Sequence, residues 1–337
     1  AITDVTATEE VSAVLRIEPG ETKTYKLTLE STGDSVITDA QVSLDFDIRT
    51  TSAYVEAQTS LRTVTFTQNN GTITAVSGDN STSSSPSLQK ALFIPKTVDS
   101  TTITAYGSGR SISLSSNIDF VIFEANLESI GTYAFTGCSG LTSVSLPSSV
   151  TSIGDSAFQY CSGLTSVSLP STLTSIGSSA FYGCSGLTSV SLPSKLTSIG
   201  SSAFLKCSGL TEIIIPEGVT SIGGFAFSGC SGLTEIVIPE GVTSIGNSAF
   251  QYCSGLTEIV IPEGVTSIGS NAFYGCTNLT RLTINTQSGY IWQKASSSSA
   301  SDSSWTIVDV STNPEQNATW FKETSGYSDY YWRQVAQ

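Results

Sequence analysis

The chain has 337 residues, a formal net charge of −14 and only 12% charged residues. This acidic balance does not favour nucleic acid or an anionic membrane as a partner, because both reward clusters of Lys and Arg. Histidine is absent, which excludes Ser-His or Cys-His catalysis and metal sites built on His.

The first segment, residues 1–110, has the pattern of an antiparallel β domain. VSAVLRIEPGETKTYKLTLES (11–31) predicts two strands joined by Pro-Gly, and LRTVTFTQNNGTITAVSG (61–78) predicts a hairpin through Asn-Asn-Gly. LQKALFIPKTVDSTTITAYG (88–107) predicts two more strands, and its ALFIPKTVDSTTITAYG part is similar to the later strands of fimbrillin-like sandwich domains of Bacteroidetes surface proteins. Short strands at this spacing predict a β-sandwich over 1–110.

A repeat of 23 residues occupies the middle of the chain, and we assign residues 111–292 to it. The pattern is C-S-G-L-T-x-[VI]-x-[LI]-P-x-x-[VL]-T-S-I-G-x-x-A-F-x-x, in six complete units that start at Cys138, Cys161, Cys184, Cys207, Cys230 and Cys253. Degenerate units begin at Ser115 and at Cys276, as expected for the terminal coils of a solenoid.

Each unit predicts one coil of a parallel β-solenoid. Val144 and Leu146 alternate with polar residues as in a strand, and Pro147 ends that strand because it lacks an N–H. Val150 and Ile153 are expected to recross the core, and a helical or 3₁₀ turn is expected at Ala157 and Phe158. The glycine after each Ile predicts a positive φ or a close backbone approach.

The Gly of each CSGL, such as Gly140, is replaced by Asn117 and Asn278 in the end units. Asn is the residue besides Gly that best tolerates the left-handed region, so we expect this position to have a positive φ.

Units such as LTSVSLPSSVTSIGDSAFQYCSG (141–163) and LTEIVIPEGVTSIGNSAFQYCSG (233–255) resemble the BspA-like (Treponema-type) leucine-rich-repeat proteins of bacterial surfaces. The resemblance covers about residues 115–292. It implies a secreted or surface-anchored protein, extracellular or held at the outer membrane. It also implies a solenoid that binds proteins of a host or a neighbouring cell.

The seven cysteines, one per repeat, could form disulfides, hold a metal or fill the core. Equivalent residues of stacked coils have parallel Cβ vectors about 4.8 Å apart, wider than a disulfide prefers. Seven is an odd number, and a straight column cannot place four thiolates around one zinc ion. We therefore predict a buried ladder of small apolar side chains.

The outward positions of the predicted strands change character along the solenoid. They are Phe120 and Ile122 in the first unit, where we expect the N-terminal domain to cover them, and paired serines in the next three. Three units with Glu and an aliphatic residue follow, and then Arg281 and Thr283. Contiguous exposed aliphatics mark interfaces, although β-branched residues also favour strands without any further role. We predict a partner-binding surface formed by Glu212, Ile214, Glu235, Val237, Glu258, Val260 and Arg281.

Two columns of glutamates are expected, one in the strands and one in the Pro-Glu-Gly turns at Glu217, Glu240 and Glu263. A calcium ion could relieve the repulsion within a column, but Ca²⁺ requires six to eight oxygens and the Gly/Asp-rich calcium-coil pattern is missing. A solvated acidic face explains them without a metal.

The final segment, 293–337, follows a serine-rich stretch, and all four tryptophans lie at or after Trp292. WTIVDV, ATWFKE and DYYWRQVA predict short strands. We expect a C-terminal cap on the solenoid; a glycan-binding aromatic surface is the alternative.

We expect a mainly β protein that is not an enzyme, has no cofactor or metal and has no transmembrane segment, since no stretch of about 18 apolar residues occurs. Protein binding or adhesion through the strand face is the predicted function. A glycan-binding module and a passive spacer are the alternatives.

Overall fold

The computed structural model describes residues 11–16, 54–59, 64–69, 72–78, 91–94, 97–98, 101–107, 118–123, 127–299, 301, 304–308, 313–322 and 328–336. Within them the fold is mainly β, and a parallel β-solenoid with a 23-residue period confirms that part of the prediction. The second strand of the predicted 11–31 pair and Asn117 lie outside the described residues.

Each coil contributes one strand to a front sheet and one to a back sheet. The front strands of the repeats are β11 (Ser143–Ser145), β13 (Ser166–Ser168), β15 (Ser189–Ser191), β17 (Glu212–Ile214), β19 (Glu235–Val237), β21 (Glu258–Ile261) and β23 (Arg281–Ile284). The back strands are β10 (Ser129–Ile130), β12 (Ser152–Ile153), β14 (Ser175–Ile176), β16 (Ser198–Ile199), β18 (Ser221–Ile222), β20 (Ser244–Ile245) and β22 (Ser267–Ile268). Equivalent residues pair in parallel, for example Val144 with Val167 and Ile153 with Ile176.

A third side, which we call the turn face, runs from the Gly that follows each back strand to the next Cys. It is a pair of turns rather than a helix: Ala157 N donates to Gly154 O, and Gln159 N donates to Ser156 O. The residues between them, Ser156 and Phe158, donate instead to the carbonyls of the following coil. Every coil is thereby bonded to the next along all three sides.

A column of phenylalanines fills the core. Successive rings stack at centroid distances of 5.1 to 5.6 Å, and each is fully buried: Phe135, Phe158, Phe181, Phe204, Phe227, Phe250 and Phe273. Tyr106 stacks on the first ring at 4.9 Å and Phe321 meets the last ring edge-on at 6.1 Å. Aromatic pairs at these separations add about 0.5–1.5 kcal/mol each beyond the area that they bury.

The solenoid begins earlier than the sequence predicts. β5 (Ala91–Ile94) pairs in parallel with β9 (Phe120–Phe123), and β8 (Ala105–Tyr106) pairs in parallel with β10. The predicted boundary at residue 110 therefore falls inside continuous sheets, and the antiparallel sandwich strands expected in 91–107 are solenoid strands. Between them β6 (Thr97–Val98) and β7 (Thr101–Thr102) form a small antiparallel pair.

The predicted hairpin is confirmed as β3 (Val64–Asn69) and β4 (Thr72–Gly78), which pair antiparallel. β4 also pairs in parallel with β8, so this hairpin extends the back sheet at its N-terminal end instead of belonging to a separate sandwich. β1 (Val11–Arg16) pairs antiparallel with β2 (Tyr54–Thr59). A sandwich over the remaining N-terminal residues stays a prediction.

The prediction of a left-handed glycine in each CSGL is wrong. Neither Gly140 nor Asn278 has a positive φ. These glycines are instead required by close packing, because a Cβ at Gly186 would lie 2.6 Å from Ser162 O of the preceding coil. The left-handed residues lie on the turn face, at the positions of Ser156 and Tyr160. For the glycine after each Ile, the close-approach alternative is the correct one.

The C-terminal segment contains β24 (Tyr290–Ala295), β25 (Thr306–Val308), α1 (Pro314–Lys322) and β26 (Tyr331–Ala336). The strand predicted at ATWFKE is therefore wrong, because its described residues, 318–322, lie in α1. Asn313 caps the helix, with its Oδ1 accepting from Glu315 N and Gln316 N at 3.0 and 3.1 Å, and Pro314 occupies the first helical position.

Candidate partner-binding surface

The front sheet presents two side chains of every strand to solvent and buries the one between them. This exposed-buried-exposed pattern is observed in β11, β13, β15, β17 and β19 and continues in β21. The outward residues are serines in β11, β13 and β15, which form a serine half. In β17, β19 and β21 they are a glutamate and an aliphatic residue, and in β23 they are Arg281 and Thr283.

The aliphatic stripe consists of Ile214, Val237 and Val260, one residue on each of three consecutive strands. Ile214 is directly opposite Val237 in the parallel register, and both side chains are more than half exposed, at 78% and 61%. Val260 is 44% exposed and is opposite Thr283. The three residues are the most exposed large aliphatics of the described solenoid coils, and they are contiguous.

The acidic column consists of Glu212, Glu235 and Glu258, two residues before each aliphatic residue and on the same face. Glu212 is opposite Glu235, and Glu258 is opposite Arg281. Arg281 Nε lies 3.4 Å from Glu258 Oε1, and both side chains are about half exposed. An exposed pair of this kind contributes about 0–1 kcal/mol, so it positions charge more than it stabilises the fold.

All seven residues of the predicted partner-binding surface therefore lie on four consecutive strands, β17, β19, β21 and β23. The second acidic column, Glu217, Glu240 and Glu263, is exposed at the turns that follow these strands. Among the described residues no group of three or more His, Cys, Asp or Glu side chains is placed to hold a metal ion. The side chains of Phe120 and Ile122 lie outside the description.

Two threonine ladders hold the coils in register, one beside the front strands and one beside the back strands. Thr165 Oγ1 donates to Thr142 O at 3.0 Å beside the front strands, and Thr174 Oγ1 donates to Thr151 O at 3.1 Å beside the back strands. The same bond recurs along the solenoid. Each threonine hydroxyl donates a hydrogen bond to a backbone carbonyl of the preceding coil. These bonds keep the coils evenly spaced, so the outward residues of the front sheet lie at regular intervals.

The cysteine ladder is buried, as predicted: all seven thiols are free, and none is exposed to solvent. A feature that the sequence analysis missed is that the thiols donate hydrogen bonds. Cys161 Sγ lies 3.0 Å from Phe135 O of the preceding coil, and the same bond recurs at Cys184, Cys207, Cys230, Cys253 and Cys276. Cys therefore fills a small site and also satisfies a buried carbonyl.

Burial makes these thiols poor nucleophiles, because desolvation disfavours the thiolate and raises the pKa of Cys184 and Cys230 to about 12. We expect no thiol to react with a maleimide or an aromatic disulfide reagent while the chain is folded at neutral pH. All seven should react once it is denatured, in a titration without reductant. A denatured chain with fewer than seven reactive thiols would contain disulfides and contradict the ladder.

The C-terminal segment bonds to the last coil at positions where earlier coils bond to the next repeat. Asn271 N donates to Ser328 O, and Gly275 N donates to Lys322 O at 3.0 Å, where earlier coils donate to the next repeat. On the front sheet, the buried Asn317 side chain donates to Leu282 O at 3.1 Å. β26 pairs antiparallel with β22, and β24 and β25 follow it in the back sheet.

The C-terminal aromatics are engaged in this packing. Trp292 and Trp332 are each 2% exposed, so neither presents a ring face to a ligand. Trp320 is partly buried against the core, and the Arg333 guanidinium lies over the Trp305 ring at 4.2 Å. Tyr290 in β24 is 38% exposed, and the most exposed aromatics lie on the turn face, where Tyr160 and Tyr252 are half exposed. The sequence signal for them is the residue before each Cys.

Among the described residues, no helix has the length and apolar character needed to cross a bilayer.

Comparison with known proteins agrees with the fold. The family model of the BspA-type leucine-rich-repeat region matches residues 110–234 and 197–323, with six copies. No curated protein matches the chain.

Two solved structures are similar to parts of the chain. A leucine-rich-repeat protein of Treponema pallidum is 27% identical, with a TM-score of 0.46, over 65% of this chain and 87% of that one. A leucine-rich cell surface protein of Faecalibacterium prausnitzii is 31% identical, with a TM-score of 0.47, over 68% of this chain and 54% of that one.

Proposed function

The chain belongs to the BspA-type leucine-rich-repeat family, and from that premise we propose that it is a non-enzymatic binding protein whose front sheet recognises another protein. The site of recognition is the partner-binding surface on β17, β19, β21 and β23. The protein acts outside the cell or at its surface, where its partner is a protein of a host or a neighbouring cell. Adhesion is the biological role that such binding would serve.

The observation that carries this proposal is the aliphatic stripe. Side chains that are 78% and 61% exposed on adjacent strands leave apolar area in water, and burial of that area against a partner would be favourable by about 25 cal/mol per Å². The serine half has the same backbone and the same register but no such area. The strand geometry does not require aliphatic residues here, since Ser145 and Ser168 occupy the same position in equally regular strands.

The acidic column defines the chemistry of the partner. Glu212 and Glu235 are exposed and opposite one another, while Arg281 neutralises only the far end of the column at Glu258. A complementary partner carries an apolar strip flanked by Lys or Arg side chains. Charge complementarity of this kind increases the association rate and is weakened by salt.

The test is a pull-down from surface proteins with the full chain, followed by affinity measurement with each partner that is captured. We expect Ile214→Asp/Val237→Asp/Val260→Asp to reduce affinity at least about tenfold. The stripe would then carry three carboxylates, and removing water from them on binding is costly. We also expect affinity to fall as salt is raised.

The matched control is Ser145→Asp/Ser168→Asp/Ser191→Asp, which adds the same three charges at the same strand position in the serine half. It should leave affinity within about twofold of the parent chain. Equal binding by both triple variants would refute the proposed surface. A chain that captures no partner from any surface preparation would favour the passive spacer.

A further inference from the structure

The residue before each cysteine on the turn face alternates between glycine and a large side chain. In order along the solenoid these residues are Gly137, Tyr160, Gly183, Lys206, Gly229, Tyr252 and Gly275, and all have a positive φ between 59° and 78°. Glycine adopts this conformation freely, whereas other L residues incur a cost of roughly 1–2 kcal/mol. The chain therefore retains bulky residues at three positions where glycine would avoid this backbone cost.

The glycine of the following coil makes room for the ring. A Cβ added to Gly183 would lie 2.7 Å from Tyr160 Cδ1, and one added to Gly275 would overlap the ring of Tyr252. Each tyrosine ring thus lies across a glycine backbone, with one face against the protein and half of the side chain exposed. Such a ring is a flat platform held at a fixed place on the solenoid.

Each platform has a second tyrosine beside it. Tyr160 and Tyr182 have ring centroids 4.9 Å apart at 48°, and the neighbouring Tyr182 side chain is the main cause that raises the pKa of Tyr160. Tyr252 and Tyr274 repeat the arrangement 92 residues later, four coils along, with centroids 5.4 Å apart at 62°. The two pairs differ by less than 1 Å in spacing, so they form matching surfaces.

The charges beside the two pairs are opposite. Lys206 Nζ lies 5.9 Å from the centroid of the Tyr182 ring, and its charge acts on Tyr160 to lower the pKa of that phenol, against the larger raising effects. Beside the second pair the nearby charge is Asp329, which adds to the rise in the pKa of Tyr274 that Tyr252 mainly causes. The first pair therefore favours an anion, and the second disfavours one.

We propose that Tyr160, Tyr182 and Lys206 form a binding site for an acidic saccharide. The C–H face of a pyranose ring packs on the exposed Tyr160 ring, the phenol hydroxyls of the adjacent Tyr160 and Tyr182 bond sugar hydroxyls, and the Lys206 ammonium pairs with a carboxylate or sulfate. A single lysine on a chain with a net charge of −14 does not suit a nucleic acid, which rewards many cations. The site is on the turn face and is independent of the front-sheet surface.

The test uses three tetrasaccharide probes of one length with the full chain: a uronic-acid-containing hyaluronan fragment, a chondroitin sulfate fragment and neutral chitotetraose. Binding is followed by calorimetry at low and high salt. We expect one or both acidic probes to bind and the neutral probe to bind at least about tenfold more weakly, since it lacks the charge-assisted bond. The two acidic probes distinguish a carboxylate from a sulfate ligand.

Tyr160→Ala and Lys206→Ala should each weaken binding of the acidic probe about tenfold, whereas Tyr252→Ala should change it less than about twofold. Gly183→Ala provides a matched pair with Gly275→Ala, because both add a Cβ at a left-handed glycine beneath a tyrosine ring. Only Gly183→Ala should weaken binding. Absence of binding by every probe, or equal losses for the two glycine variants, would overturn the proposal.

Discussion

Between pH 8 and pH 10 the folded chain should lose on the order of 5 kcal/mol of unfolding free energy from four of its thiols. Burial raises the pKa of Cys138, Cys184, Cys230 and Cys276 from the ordinary value of 9.0 to about 12. For each pH unit above the ordinary thiol pKa, the free energy of unfolding falls by about 1.4 kcal/mol per thiol that is neutral in the folded chain and ionised in the unfolded chain. Total stability of a domain is only about 5–15 kcal/mol, so alkaline unfolding near pH 10 is expected.

The direction follows from proton binding. Below pH 9 the thiols are protonated in both states, and stability is fully present. Between pH 9 and about 12 the unfolded chain releases protons that the folded chain retains, so stability falls as pH rises. Cys161, Cys207 and Cys253 have pKa values raised in the same direction, again mainly by burial, and they add to the effect.

Urea unfolding followed by tryptophan fluorescence at pH 7, 8, 9 and 10 in the presence of a reductant measures this loss. The control is Cys184→Ala/Cys230→Ala, which removes two titrating groups and two of the buried hydrogen bonds to carbonyls. That variant should be less stable at pH 7 but have a shallower fall toward pH 10. The same slope in both proteins would show that lysines or tyrosines, not the thiols, control the alkaline transition.

The solenoid could be predicted from sequence because each coil buries the same residue types at the same positions of the repeat. The alternation around Val144 gave the front strand, and the single Cys per repeat gave the buried ladder. The exposed stripe at Ile214 and Val237 followed from the same period-2 pattern. Its exposure is observed, and its binding role is a proposal.

The first coil was missed because its period is not 23. Ala91 pairs with Phe120, 29 residues later, and the extra residues are used partly for the β6–β7 pair. The strand motif of the repeat is nevertheless present. Leu92 and Ile94 precede Pro95 in the same spacing as Val144 and Leu146 precede Pro147. An insertion hides a repeat from an analysis that depends on constant spacing.

Other features depend on contacts between coils, which one repeat does not contain. α1 has a local signal in Asn313 and Pro314, but the sequence analysis predicts a strand from the apolar residues after them. The residue type at the position of the turn-face tyrosines varies from repeat to repeat. Their role as platforms depends on the glycine of the next coil, which lies beneath each ring.

A single methyl group at Gly223 should destabilise the chain by about 3 kcal/mol, whereas the same change at Gly224 should not. A Cβ at Gly223 would lie 2.6 Å from Ser201 N and 2.7 Å from Gly200 C, both backbone atoms of the preceding coil. These atoms cannot move without separating the two coils along the turn face. At Gly224 the nearest atom is Asn247 O at 3.4 Å, an ordinary contact.

Gly223 and Gly224 are adjacent, and the two variants Gly223→Ala and Gly224→Ala have the same amino-acid composition. A comparison of their free energies of unfolding in urea therefore isolates the effect of coil spacing. Neither glycine has a positive φ, and other coils carry Asp155, Ser178 or Asn247 where this coil has Gly224. Gly224→Ala should therefore be neutral or stabilise by up to about 1 kcal/mol, because alanine reduces the entropy of the unfolded chain. If Gly223→Ala were equally mild, the coils would be farther apart than the structure places them, and the fixed glycine would need a different explanation.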